Sequence, residues 1–281
     1  MKQNPFSLYD FLGYLIPGAI FLYILNYIFR IDIISLLNIL NKNNNDTFKN
    51  EIIFALPIIL IIITYVTGHI ISLTSSFFIE ASSIYLYGYP SKYLFTKKHS
   101  IFKIPNDENK IIGTIKRIIL FVLLLPTSII LVIFKGSKTS LFNQAKTLQE
   151  DLGNVVFDKC LIVLDRNLEI KTDSIRNKKE TEGLGNDYFR IIYHFIFENS
   201  EKHSSKLQNY VALYGFCRNV SFVFLTSFFL SLYFKIMDKC IQTFWTLLFP
   251  VLTFLFFTGF VKFYRRYTLE ALMGATVFNK H

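Results

Sequence analysis

Apolar residues in this chain are bunched into long runs rather than spread at helical or strand intervals. Residues 52–63 are apolar throughout, with Pro57 as the one imino acid. Residues 118–134 and 220–234 are interrupted only by Pro, Ser and Thr, and residues 243–261 carry no charge. Runs of about 17–25 such residues match a hydrocarbon core about 30 Å thick. The pattern predicts an all-α polytopic membrane protein: four full transmembrane helices, one short re-entrant or interfacial apolar segment, and a cytoplasmic helical insertion.

The first span covers residues 7–29. Asp10 lies in its first turn, where a carboxylate suits the positive helix end, and Pro17-Gly18 offers a kink near its middle. A polar loop, NKNNND, occupies residues 41–46. The second span starts near Ile52, and its helical pattern runs on to Tyr87. Gly88-Tyr89-Pro90 ends it, because proline cannot continue a helix and disfavours it one residue earlier. Residues 1–90 thus form a helix pair with a cytoplasmic extension.

Residues 91–135 combine a basic connector with the short apolar segment 118–134, which has Pro126 at its centre and follows Lys116-Arg117. Residues 136–208 read as a soluble helical region, with helices over 141–152, 155–168 and 188–197 and a flexible charged loop over 171–187. A second transmembrane pair fills 209–264, with spans at 209–234 and 243–261. The tail, residues 265–281, is basic near the membrane and is expected to lie on its surface as an amphipathic helix. No internal repeat supports an inverted-repeat transporter.

Orientation follows from where Lys and Arg fall. If all five apolar runs cross, near-membrane positive charges divide evenly between the two sides. If 118–134 dips in and returns, only Arg30, Lys42, Lys49, Lys235 and Lys239 lie outside. The connector and the basic cluster Lys262, Arg265 and Arg266 then lie inside with Lys116 and Arg117. That asymmetry selects four spans with both termini cytoplasmic.

Composition changes little in this picture. The formal charge of +10 suits loops beside an anionic membrane face. The basic residues are scattered between spans and mixed with acids, so nucleic acid is not an expected partner. Three cysteines, Cys160, Cys217 and Cys240, form no spacing motif, which argues against a disulfide framework or a zinc site; no metal or cofactor is expected. The first span is too long for a cleavable signal and is expected to remain. Abundant Ile, Phe, Asn and Lys suit an AT-rich bacterial genome, and hence a bacterial inner membrane.

Candidate chemistry sits in GHIISLTSSFFIE, residues 68–80. Taking His69 as zero and about 100° per residue, Ser72 falls near −60°, Ser76 near −20° and Glu80 near +20°. In lipid such a polar stripe must face protein or water. The best partner for Glu80 is Arg218, which shares its depth in the four-span arrangement, and Asp10 and Asn219 are placed to join them. Four readings of this cluster stand open: structural glue between helices, an ion or proton path, a headgroup pocket, and catalysis by His69 with Ser72 or Ser76. The last lacks the glycine-rich turn of an activated serine. GSKTS at 136–140 lacks the first glycine of a phosphate loop, and GLGND at 183–187 lacks the flanking elements of a dinucleotide site.

YDFLGYLIPG (9–18), GHIISLTSSFFIE followed by GYP, and YVALYGFCRN (210–219) together resemble a group of multi-pass bacterial inner-membrane proteins with no assigned activity. The likeness covers about a third of the chain. It implies that the polar residues above are the shared core of the group, and loosely associates the chain with accessory or phage-defence loci. The expected function is non-enzymatic: a signal- or partner-responsive membrane module whose response in a defence setting would be altered permeability. Its expected partners are the lipid bilayer, a cytoplasmic protein meeting 136–208, and a second copy of the chain. A small-ion channel or transporter using His69, Glu80 and Arg218, and an intramembrane lipid hydrolase, are the alternatives.

Overall fold

A computed structural model describes residues 7–30, 46–96, 110–136, 145–237 and 242–278, and every regular element among them is a helix. Loop 41–45, connector residues 97–109, residues 137–144, Lys239 and Cys240 lie outside the described residues.

Helix α1 spans Asp10–Ile28. Helix α2 runs over Asp46–Ser75, passes through a π-helical turn at Ser76–Glu80 and continues over Ala81–Tyr87. Gly88, at φ +78°, ends it, and Pro90 opens the short α3, Pro90–Tyr93. Then come α4 (Lys110–Leu123), α5 (Leu125–Gly136), α6 (Glu150–Leu168), α7 (Asp173–Asn177), α8 (Lys179–Glu182) and α9 (Asn186–Asn199). The chain closes with α10 (Glu201–Ile236) and α11 (Thr243–Val277).

Four helical stretches are long and apolar enough to cross a membrane: Asp10–Ile28, Leu56–Tyr93, Glu201–Ile236 and Thr243–Val277. Their surfaces are inverted relative to a water-soluble bundle. Ile58, Ile62, Val66, Ile70, Leu73 and Phe77 form an exposed apolar stripe down α2, and Leu247, Val251 and Leu255 do so on α11. Ser72, Ser75, Arg218, Asn219, Ser221 and Thr253 are buried. An exposed apolar belt of this size fits a lipid solvent.

Contacts fix the helix directions. Tyr9 meets Gly215, Gly13 meets Asn219, and Phe29 meets Phe234, so α1 and α10 run parallel. Gly18 meets Thr64 and Tyr14 meets Gly68, so α2 is antiparallel to α1. Tyr214 meets Tyr264 and Phe224 meets Phe249, so α11 returns beside α10. The start of α1 and the end of α11 therefore lie at one end of the bundle.

A helical lobe caps that end. With 36 and 35 residues, α10 and α11 are each about 52–54 Å long at 1.5 Å per residue. A hydrocarbon core of about 30 Å leaves about 20 Å of each outside, and α6 and α9 pack against this part. Phe157, Cys160, Leu161, Leu164, Ile192, Ile196, Leu207 and Leu272 form one core. Two backbone bonds tie the connector to the lobe: Leu184 N–H to Ser91 O and Leu148 N–H to Leu94 O. Gly183, at φ +59°, allows the first, since a Cβ there would lie 2.7 Å from Lys92 O.

The structure departs from the sequence reading in five places. Residues 145–149 are not helical; α6 begins at Glu150, after an extended Gln149 and with Glu150 and Asp151 in its first turn. The α10 helix passes the expected boundary at 208/209 without a break. Residues 265–277 do not lie apart as a surface helix: they continue α11, and Ala271, Leu272 and Ala275 are buried in the lobe. Residues 171–187 are not a loop throughout: they hold α7 and α8, and Ile175 and Leu184 are buried. Finally, the apolar segment 118–134 is divided between two helices. The break falls at Leu124, with Pro126 in the first turn of α5, where its missing N–H has no helical partner to lose. Both α4 and α5, at 14 and 12 residues, are shorter than the about 17–25 residues of a full span.

Candidate functional site

Helices α1, α2 and α10 meet at a buried polar node. From α1 comes a backbone carbonyl. Pro17 has no N–H, so it cannot donate to the carbonyl four residues back, which is that of Gly13. Asn219 Nδ2 donates to that oxygen at 2.6 Å.

From α2 come two serines and a carboxylate, brought onto one face by the π-helical turn. Such a turn adds a residue and rotates the rest of the helix by about 100° relative to a straight one. Glu80 therefore falls near −80° rather than +20°, between Ser72 at about −60° and Ser75 at about −120°.

From α10 comes Arg218. Its Nη1 pairs with Glu80 Oε2, its Nη2 donates to Ser72 Oγ at 3.0 Å, and its Nε donates to Asn219 Oδ1 at 3.2 Å. Ser75 Oγ donates to the same Asn219 oxygen at 2.5 Å. The side chains of Arg218 and Glu80 are 9% and 23% exposed, so the guanidinium is the deeper charge. Burying an ion pair is worthwhile only when its remaining hydrogen-bonding groups are met; here Ser72 and Asn219 accept from the guanidinium, and the Gly13 carbonyl in turn holds the Asn219 amide.

The structure thus joins Glu80, Arg218, Asn219 and Ser72. It separates the other three candidates. Asp10 caps its own helix: Asp10 N–H donates to Ser7 Oγ at 3.2 Å, and Ser7 N–H and Oγ donate to Asp10 Oδ2 at 2.9 and 2.7 Å, a reciprocal capping box. His69 stacks on Tyr14 at 3.8 Å between ring centroids and meets the edge of Tyr65 at 4.6 Å. Ser76 Oγ donates to the Leu73 carbonyl on an exposed surface. No hydrogen bond joins His69 to Ser72 or Ser76 among the described residues.

Ser75 and Gly13 were missed by sequence reasoning. A straight-helix projection puts Ser75 off the stripe, and only the π turn restores it. Gly13 had a legible signal, the proline four residues later. Ser75→Ala is expected to cost about 1–3 kcal/mol, the range for stranding a buried hydrogen-bonding partner, while Ser76→Ala stays within about 0.5 kcal/mol. Thermal unfolding of the two variants in detergent reads the difference; equal midpoints would sink this phase assignment.

The basic candidates take separate places. Lys262 lies 6.0 Å over the Phe263 ring, Arg265 Nε donates to Lys146 O at 2.8 Å, and Arg266 lines an open cleft. Lys116 and Arg117 lie on α4, and their side chains fall outside the described ones. Among the described residues no group of three or more His, Cys, Asp or Glu is arranged to hold a metal ion.

An aromatic chain links node and lobe. One turn before Arg218, Tyr214 packs against Tyr264 at 5.3 Å and Tyr267 at 5.6 Å. Tyr267 in turn meets Tyr193 and Phe189 of α9 at 5.3 and 5.8 Å. The Tyr193 hydroxyl is pushed up in pKa, first by burial. Cys160, at the centre of the lobe with no exposed surface, is also pushed up by burial, so it is a core residue rather than a reactive thiol.

No protein-family model, no curated protein and no solved structure matches this chain.

Proposed function

We propose that this chain is an integral protein of a bacterial inner membrane that acts without catalysis, as a partner- or signal-responsive module. Its lobe faces the cytoplasm and receives the partner, and its polar node holds the transmembrane helices in register. The observation that carries the reading is the continuity of α10 and α11 through both parts. Leu207 in the lobe core and Arg218 in the node lie on one unbroken helix, so a shift of one moves the other.

Orientation and the re-entrant segment belong to the same proposal. Gly113 O of α4 accepts from Tyr85 Oη at the lobe end. Leu124 is buried with Ile79 and Phe257, inside the bundle. From Gly136 the chain must reach Ala145, whose neighbour Lys146 accepts through its carbonyl from Arg265 Nε at the lobe end. Nine residues span at most about 30 Å, which suits an α5 that turns back towards the lobe. The exposed Ile111, Ile115, Ile118 and Val122 of α4 then face lipid. Both termini lie on the cytoplasmic side, where most Lys and Arg fall.

Two measurements test this. Cys160 is buried, so the label needs a new site: Ser174→Cys, on the exposed lobe surface, with Cys217→Ala and Cys240→Ser. A membrane-impermeant maleimide is expected to modify it only after cell lysis; modification in intact cells would reverse the orientation. The same labelled protein reports on coupling. Trp245, the single tryptophan, packs on Phe249 at the far end of the bundle. Its fluorescence and that of a dye at residue 174 are expected to change at one melting temperature. Two separate transitions would uncouple lobe from bundle and end the proposal.

A further inference from the structure

Where α10 and α11 leave the bundle, a cleft of about 470 Å³ opens between them. Its ionisable side chains include Lys206 and His203 from α10 and Arg266 and Glu270 from α11. Glu270 Oε1 lies 2.9 Å from His203 Nδ1 and 3.3 Å from Lys206 Nζ. Arg266 has no carboxylate within ion-pair distance among the described residues. Two basic side chains, Lys206 and Arg266, thus face one acidic one, and the Tyr210 hydroxyl adds a donor at the membrane end. Leu269 and Met273 supply an apolar wall.

We propose that this cleft binds an organophosphate anion. Its phosphate lies between Lys206 and Arg266 with Tyr210 donating, and its organic part rests against Leu269 and Met273. Arg266 supplies a planar, permanently charged fork for phosphate oxygens. Lys206, 61% exposed, keeps two of its three protons free of Glu270. Glu270 acts as a filter, because it tethers Lys206 and weakens binding of anions that cannot engage Arg266 as well. The cleft begins at the level of Lys262, Arg265 and Arg266, where basic pockets between helices meet phosphate headgroups. The phosphate therefore comes from an anionic lipid of that leaflet or from a soluble phosphate ester. The inference rests on the reading of the lobe as the receiving part, and names the ligand class it receives.

Full-length protein in a neutral detergent tests it without reference to membrane sidedness, so its failure is separable from a failure of the orientation. One arm titrates dioctanoyl phosphatidylglycerol, with dioctanoyl phosphatidylcholine as control; the other titrates glycerol 3-phosphate and adenosine monophosphate. The unfolding midpoint is the readout. A saturable rise in one arm is expected, with half-saturation weakened at least about tenfold in Lys206→Gln or Arg266→Gln, the scale of one charge-assisted hydrogen bond. Arg266→Lys should retain part of the response, and Lys262→Gln, outside the cleft, all of it. A response in the lipid arm alone assigns the leaflet as the source, one in the soluble arm assigns a solute, and both together mean that phosphate alone is read. No saturable response in either arm, or one unchanged in the two Gln variants, overturns the proposal.

Discussion

Glu80→Ala is expected to destabilise the protein by about 3–5 kcal/mol, the usual result of removing one partner from a buried ion pair. The size reflects the groups left behind. Arg218, whose side chain is 9% exposed beside Glu80, is left with its positive charge uncompensated. Ser72 and Asn219 still accept from it, but neither carries a negative charge. The double variant Glu80→Ala with Arg218→Met should recover much of the loss, because replacing both charges by apolar groups removes the desolvation cost on both sides. Exchanging the residues, Glu80→Arg with Arg218→Glu, should recover less, since Ser72 and Asn219 are placed to accept from position 218. The thermal midpoint and the monodisperse fraction in detergent separate these cases. If Glu80→Ala melts like the parent protein, the pair is not structural, and an ion path through the node becomes the better account of these residues.

Gly68→Ala and Gly18→Ala should be the next most damaging single changes. Alanine normally stabilises a helix interior by about 1 kcal/mol relative to glycine, so propensity alone predicts a gain. Here a Cβ on Gly68 would lie 2.0 Å from Tyr14 O, and one on Gly18 would lie 2.1 Å from Thr64 O. Both obstacles are backbone, which no side-chain rotation relieves, so α1 and α2 must move apart. Overpacking costs about 1–3 kcal/mol, and more when backbone must shift. Separation would also strain the Asn219 bond to Gly13 O, so the variants should lose node as well as contact. Gly153→Ala is the control: its nearest neighbour is Leu148 Cβ at 3.6 Å, an ordinary contact, and it should be neutral or stabilising. Equal melting of all three would mean that α1 and α2 do not touch backbone to backbone.

The close approach explains why small residues matter in a bundle of this kind. Lipid offers no hydrophobic drive between helices, so association rests on close packing and interhelical hydrogen bonds. Gly18 and Gly68 supply the first for α1 and α2, and Asn219 and Arg218 supply the second with α10.

The chain alone determined the class of the fold and the charges that had to meet. Apolar runs of membrane length mark the helices, because their backbone polar groups must be satisfied within each helix. Gly88-Tyr89-Pro90 marks the end of α2, since proline lacks an N–H and glycine tolerates positive φ. A carboxylate and a guanidinium in apolar surroundings seek each other, which made Glu80 and Arg218 a legible pair. Only the tertiary structure decided the rest. The one-residue insertion at Ser76–Glu80 shifts the face of α2 without altering its apolar composition, and so exchanges Ser76 for Ser75 at the node. Asp10 and His69 carry the same chemistry whether they join that node or not; Ser7 and Tyr14 engage them instead. The amphipathic pattern of 265–277 is equally suited to a bilayer surface and to a protein core. Burial of Ala271, Leu272 and Ala275 against α6 and α9 made the choice, because an apolar stripe records that it must leave water and not what it leaves water for.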